Sequence, residues 1–368
     1  MPSSATERRG LGDWLRLVSI PGLGGAAQRA LLKAFGDPGE IFRRDRTELA
    51  AVVGARGADL AVSDGTAASV EAALRWADSA EHHHLLTLAD EAYPALLLEL
   101  PDPPTVLYAR GDLSLLRGCN LAIVGSRNAT AGGLRNAAQF ARSMAEAGIT
   151  VVSGLALGVD AEAHRGALDG GGTTVAVVGT GIDRVYPARN AELARRIADE
   201  GRGLIVSELP LGAGPLAHHF PRRNRIIAGL SLGVLVVEAA TESGSLITAR
   251  LAAEQGREVF SIPCSIHSPQ SRGCHRLIRD GAQLVETAAD ILEELGSAAP
   301  LTRPPEQPTE RPANGDNVLA ALGHDPLTAD ELAARTGLTA DALLAILFEL
   351  ELGGAVTALP GGRYQRLQ

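Results

Sequence analysis

Short apolar runs, separated by helix-length amphipathic stretches, organise the middle of this 368-residue chain. The runs are LAIVGS (121–126), ITVVSG (149–154), TTVAVVGTG (173–181), GLIVSE (203–208), LGVLVVEA (232–239) and REVFSIP (257–263). Each is β-prone and apolar at successive positions, so both faces of the strand need cover. GGLRNAAQFARSMAEAG and SLITARLAAEQG, which lie between runs, have helical periodicity. Six alternating units predict an α/β fold: a doubly wound, mostly parallel, Rossmann-like sheet with helices on each side.

The flanks carry a different rhythm. GDWLRLVSIPGLGGAAQRALLKAFGDPGEIF predicts a helix, a turn at Pro21-Gly22-Leu23-Gly24, and a second helix ending near Gly36. A helical domain is therefore expected over 1–80. Helix, glycine-rich hairpin, helix is a pattern by which small modules offer backbone N–H groups to DNA phosphates; it is equally a plain helical hairpin. Residues 81–118, proline-rich at YPALLLELPDPPTVLYARGD, read as a connecting segment at the start of a core domain spanning 81–297. SAAPLTRPPEQPTERPANG is too polar and proline-rich to pack, which predicts a linker over 298–315. Beyond it, over 316–368, two helical stretches around TGLT and a glycine-punctuated terminal hairpin predict a winged helix-turn-helix. That segment carries seven acidic and three basic residues, the wrong balance for tracking phosphates, so a protein contact is expected of it instead.

Composition narrows the function classes. No apolar run reaches the ~20 residues of a membrane span. The N-terminal MPSSATERRGLGDWLRL has no apolar core of signal-peptide length. Three cysteines, Cys119, Cys264 and Cys274, do not make a disulfide scaffold and suit a reducing cytosol, so a cytoplasmic protein is expected. The formal net charge of −9 argues against a polyanion-coated surface but leaves room for a local basic groove. Lys33 is the only lysine, a bias of base composition, so only clustered arginines carry weight.

In an open parallel sheet, ligands bind beyond the carboxyl ends of the strands, at a topological switch point. The residues following the runs are Gly125-Ser126-Arg127, Ser153-Gly154-Leu155, Gly179-Thr180-Gly181, Ser207-Glu208, and Glu238 leading to Ser243-Gly244-Ser245. Glycine lets backbone approach a ligand, helix starts expose N–H groups, and hydroxyls add donors; together these predict a phosphate cradle. Arg127 adds a two-pronged donor, and ESGSLITA repeats the arrangement, with Ser243 or Ser245 as cap and Thr248 one turn in. The simpler alternative is that these glycines only make tight turns. The dinucleotide fingerprint is absent: GSRNATAGG follows AIV, and not G-x-G-x-x-G. HHFPRRNRIIAGLS (218–231) places Phe220 beside Arg222, Arg223, Asn224 and Arg225. Guanidinium groups next to an aromatic ring suit a single strand, with charge on its backbone and the ring against an unpaired base. Alternatively Phe220 is a core anchor, an arginine pairs with Glu208 or Glu238, and Asn224 bridges locally.

AIVGSRNAT, SGLALGVDAEAHRGAL, GTGIDRVYPARN, SELPLGAGPLAHHFPRRNRIIAGLS, VLVVEAATESGSLITARLAAEQGREVFSIP and GCHRLIRDGAQLV, in this order, resemble the DNA-processing protein A family, also called DprA or Smf. The resemblance spans about Ala92 to Leu295. It implies a cytoplasmic, non-enzymatic protein without a cofactor. Such a protein would bind incoming single-stranded DNA during natural transformation, protect it, and load the RecA recombinase onto it. It further implies a homodimer formed through the Rossmann-like core, sterile-alpha-motif-like (SAM-like) N-terminal helices and a C-terminal winged helix. By motif match Arg127, Phe220 and the FPRRNR arginines fall on the family's DNA-binding pocket. Two positions depart: Cys264 stands where glycine is common, and His275 where asparagine is common. Cys264, His267, Cys274 and His275 have no common zinc spacing, and no metal is expected.

A competing reading is an enzyme, a nucleotide phosphoribohydrolase on a related Rossmann-like fold. There Glu238 or Glu242 would serve as acid or base beside ESGSLITA, although the PGGxGT double glycine is missing. A third, compatible with strand binding, makes the terminal domains a protein-interaction hub.

Overall fold

The computed structural model describes residues 5–63 and 65–296, and in the C-terminal segment 318–319, 321–322, 327–336, 338, 340–352, 355–359 and 363–366. Residues 1–302 form one compact unit and 303–368 a second. The linker expected at 298–315 lies outside the described residues.

The first unit begins with α1 (Ala5–Ser19), α2 (Gly25–Phe35), α3 (Pro38–Ile41), α4 (Arg46–Ala61) and α5 (Ala67–Asp78). The turn between α1 and α2 falls at the expected Pro-Gly step, and α2 stops at Gly36, whose φ of +82° suits glycine. A capping box starts α4: Asp45 accepts from the Thr47 and Glu48 N–H groups, while Glu48 accepts from the Asp45 N–H. Leu17, Ile20, Leu31, Ile41 and Leu49 make a local core for these helices. Trp14, Leu15 and Ala73, however, pack with Tyr108, Leu155 and Ile205 of the sheet domain.

Nine strands follow: β1 (His83–Thr87), β2 (Val106–Gly111), β3 (Asn120–Val124), β4 (Thr150–Ser153), β5 (Thr174–Val177), β6 (Gly203–Ser207), β7 (Gly233–Val236), β8 (Glu258–Ser261) and β9 (Gln283–Leu284). Their spatial order is β1-β2-β6-β5-β4-β3-β7-β8-β9. From β6 to β9 the sheet is parallel, and the winding direction reverses between β3 and β7. The six predicted runs are β3 to β8, each one to five residues shorter than its apolar stretch. Residues 81–118 are not merely a connection. They contribute β1 and β2, which extend the sheet antiparallel from β6, with Tyr108 opposite both Leu85 and Ser207.

The intervening helices are α6 (Ala95–Leu98), α7 (Ala131–Glu146), α8 (Val159–Asp169), α9 (Ala191–Asp199), α10 (His219–Gly229), α11 (Ser245–Glu254), α12 (Arg272–Arg279) and α13 (Ala288–Gly296). Strand alternation sends Ala122, Val124, Val175, Val177, Val234 and Val236 to one face, packed with Ile226, Ile227, Ala249 and Cys274. Leu121, Ile123, Val151, Leu235 and Phe260 face the other way, against Phe140, Met144, Ala163 and Ile291. Two covered faces explain why the strands read as unbroken apolar runs.

In the second unit, strands Leu327–Thr328, Val356–Leu359 and Arg363–Arg366 form a three-stranded antiparallel sheet beside helices Ala329–Thr336 and Ala340–Leu352. Val318, Leu322, Leu332, Leu343, Leu347 and Val356 close its core. Two helices followed by a β-hairpin wing is the expected winged-helix arrangement.

Candidate nucleic-acid interface

Reversal of the winding between β3 and β7 leaves a crevice beyond their carboxyl ends, and an open cleft of about 720 Å³ occupies it. Its walls are the loop after β3 (Gly125, Ser126, Arg127), one face of α10 (Phe220, Arg223, Asn224) and the start of α11 (Ser243, Gly244, Ser245, Thr248). Ten of the predicted site residues thus meet at one rim.

Arg222 and Arg225 of FPRRNR do not. The stretch is helical from His219, with Pro221 tolerated in the first turn, and each helical residue turns about 100° from the last. Phe220, Arg223 and Asn224 share the cleft face, whereas Arg222 and Arg225 share the opposite one with Glu99, Pro101 and Asp102. Arg225 is buried there, paired with Glu208 and, at 2.9 Å, with Asp102. Arg222, half exposed, reaches the same buried Glu208 at 3.1 Å. Both guanidinium groups are answered by internal carboxylates, so the expected single cluster is divided by helical phase.

Arg223 lies buried beneath the cleft. It donates through Nη1 to the Val177 carbonyl oxygen, while its Nε finds no partner among the described residues. Burial lowers its pKa to about 10; Asp160 opposes that shift and Arg127 adds to it. Asp160 is buried too, and burial raises its carboxyl above the usual range against Arg223 and the Ala156 and Gly154 N–H groups. Gly154 is required here, because a Cβ at that position would sit 1.9 Å from Arg223 Nη1. Its absent side chain seats a guanidinium and does not admit a phosphate. Ser153 is also internal, donating to the Ile123 carbonyl oxygen at 2.7 Å.

The expected backbone cradle is likewise used from within. Ser126 N–H donates to the Glu238 carbonyl at 2.7 Å, and Ser126 Oγ accepts from Asn128 N–H at 3.1 Å. A Cβ on Gly125 would meet Val159 at 2.7 Å, so this glycine lets α8 approach β3. At α11 the cap is Gly244, with no side-chain cap bond, in place of Ser243 or Ser245. The Leu246 and Ile247 N–H groups bond to Ser243 and Gly244 carbonyls, and Asn224 donates to Gly244 at 3.3 Å. Ser243 and Ser245 pair through their hydroxyls at 2.7 Å. This helix start lines the cleft with the Ser243 and Ser245 hydroxyl groups.

Arg127 differs from every other arginine of the site. It is exposed, lies 5.5 Å from the centre of the Phe220 ring, and has no carboxylate partner among the described residues. Tyr186 completes a row, its ring 5.7 Å from Phe220 and tilted by 46°. Tyr186 was not among the predicted site residues, although VYPARN directly follows the third parallel run and contains one of only four tyrosines. Gln270 and Asp160 were missed as well; neither carries a motif of its own.

Glu238 accepts from Thr130 through both its oxygens, from N–H at 2.9 Å and from the hydroxyl at 2.5 Å, and so pins the loop between β3 and α7. Glu242 is exposed at the rim. Among the described residues, no three His, Cys, Asp or Glu side chains gather as metal ligands would, and no helix is long and apolar enough to cross a membrane.

The family model described as DNA recombination-mediator protein A matches residues 84–296, and the DprA winged helix domain matches 299–362. Protein Smf of Escherichia coli (strain K12) is 44% identical over 307 residues, covering 82% of this chain and 81% of that protein. The X-ray structure of DNA processing protein A from Streptococcus pneumoniae matches with a TM-score of 0.69 at 36% identity, over 77% of this chain and 97% of that one. A structure of DNA processing protein A from Helicobacter pylori, described for its single-stranded DNA binding mode, matches with a TM-score of 0.53 at 32% identity. It covers 59% of this chain and 98% of that one.

Proposed function

The chain belongs to the DNA recombination-mediator protein A family, and from that premise we propose that it binds single-stranded DNA in the cleft between β3, α10 and α11. The observation that carries this reading is Arg127, an exposed guanidinium with no internal carboxylate, set against Phe220 and Tyr186. A flexible strand offers a phosphate for the first and an unstacked base for the rings. The hydroxyls of Ser243 and Ser245 supply further contacts on the opposite wall. Ser126, Asn224 and Thr248 shape the cleft, and Arg223 supplies positive charge from beneath it.

In this reading the protein is a non-catalytic mediator. It protects an incoming strand in the cytoplasm and presents it to RecA during natural transformation, as a homodimer joined through the sheet domain. The winged helix, acidic in sequence, takes a protein contact. Thr130 occupies both Glu238 oxygens, which leaves Glu242 at the rim as the remaining acid or base for the enzyme reading.

A titration of the full chain with single- and double-stranded oligonucleotides of several lengths tests the proposal. Binding should favour the single strand, tighten with length and fall with added salt. Equal affinity for duplex, or release of free base from nucleoside monophosphates, would remove it.

A further inference from the structure

Cys264 and His275, the two positions that depart from the family pattern, are neighbours in space. His275 Nε2 bonds the Cys264 carbonyl oxygen at 2.8 Å. Cys274, next to His275 on α12, is buried, and Cys264, just past β8, is half-buried. Both sulfurs reach the same acceptor, the Val237 carbonyl oxygen, Cys264 at 3.6 Å and Cys274 at 3.7 Å. A shared acceptor brings the two thiols together beyond the end of β7. Between them runs a surface segment in which Ile266 is 78% exposed, with space for the adjustment that an S–S bond of about 2 Å requires.

We infer that Cys264 and Cys274 form an oxidisable dithiol that a hydroperoxide converts into a reversible intramolecular disulfide. The Cys264 thiolate attacks one peroxide oxygen, the O–O bond breaks, and the other oxygen leaves with a proton as an alcohol or water. Cys264 is then a sulfenic acid. The Cys274 sulfur attacks the Cys264 sulfur; its proton and the sulfenic hydroxyl leave as water while the S–S bond forms. Two thiols have lost two electrons and two protons, and one hydroperoxide has been reduced. The division of roles follows from the surroundings. Cys264 is the more accessible, and the neighbouring Cys274 thiol lowers its pKa against the opposing effect of burial. The Cys264 side chain and deeper burial push Cys274 the other way, and it acts through proximity.

The bridge would close a loop containing Gln270, whose carbonyl accepts from Ala239 N–H at 2.8 Å beyond the end of β7 and which lines the cleft. The chemistry does not rest on the DNA-binding reading.

The test treats the full chain with hydrogen peroxide, alkylates remaining thiols and digests with trypsin without reductant. Cleavage after Arg272 separates the two cysteines. The expected product is peptide 258–272 joined to 273–276, two hydrogens lighter than their sum and released by dithiothreitol. Reactive thiols fall from three to one, leaving Cys119. In the C264S variant the joined peptide is absent and Cys274 remains alkylatable. Recovery of the two peptides separately, alkylated or as sulfinic acid, overturns the inference, as does a linkage to Cys119 or between chains.

Discussion

The two sides of α10 carry arginines under opposite rules. On one side Arg225 is sealed against Glu208 and Asp102, with Arg225 and Glu208 side chains only 8% and 6% exposed. On the other, Arg127 approaches Phe220 across open space with no carboxylate at ion-pair distance among the described residues, and Arg223 lies buried below, near Asp160. A charge neutralised inside the fold holds the fold. A charge left unanswered at a rim is available to a ligand. The contrast predicts that stability and affinity separate cleanly between the two sides.

The largest effect should come from R225A. Removing one partner of a buried ion pair costs about 3–5 kcal/mol; the buried Glu208 would keep only the half-exposed Arg222, which places the loss toward the lower end of that range. Urea denaturation should show the loss, while protein still folded keeps near-parental oligonucleotide affinity. A stable variant that no longer binds DNA would place Arg225 on the strand's path and erase the comparison.

Acidification should be the next largest, and it acts through a buried histidine. His164, on α8 one turn beyond Asp160, is fully buried; its Nδ1 meets Thr174 Oγ1 at 2.7 Å. Burial, with Arg223 and Arg165 adding to it, lowers its pKa from 6.5 to about 3. The folded state therefore holds the ring neutral. Stability is complete above pH 6.5 and declines as pH falls toward 3, because the unfolded chain takes a proton that the folded one refuses. Between pH 6.5 and 5 this amounts to about 2 kcal/mol. Burial shifts His83 and His84 in the same direction, so H164Q should flatten the urea-midpoint profile without levelling it. An unchanged slope in H164Q would show that His164 does not carry the effect.

These asymmetries mark where sequence stopped being informative. The parallel strands were legible because helices cover both faces, making each an unbroken apolar run. β1 and β2 were not: HHHLLT begins with three histidines, prolines fill the interval after it, and the partner of β2 is β6, about 95 residues on, a pairing no local pattern announces. Within the site, Arg127, Ser243 and Ser245 followed from the strand ends, and Phe220 from its place beside the arginines. The fate of Arg222, Arg223 and Arg225 depended on helical phase, set by a helix that starts at His219 with Pro221 in its first turn. Gly125 and Gly154 stand in the expected loops, but the close approaches they permit are to Val159 and Arg223, within the fold.

Arg127 sharpens the comparison from its open side. R127A should weaken oligo-dT binding about tenfold, the loss of one charge-assisted contact of roughly 1–2 kcal/mol, and weaken it alike for all sequences. Its urea midpoint should match the parent. F220A should cost a similar or larger factor if a base stacks there, about 1–3 kcal/mol. Parental affinity in R127A at moderate salt would leave the cleft without its principal contact.

Arg222 is the boundary case and should give the smallest change. Its guanidinium touches the buried Glu208, yet half of the side chain is in solvent, where an ion pair contributes about 0–1 kcal/mol. Glu208 keeps Arg225 when Arg222 is removed, so no carboxylate is stranded. R222A should therefore lower stability by less than about 1 kcal/mol. If the bound strand stays on the cleft side of α10, fluorescence anisotropy should show its affinity within about twofold of the parent, with an unchanged salt slope. A slope shallower by about one unit would mean that the strand crosses α10 and displaces Glu208 from Arg222, giving the outer face a share in binding.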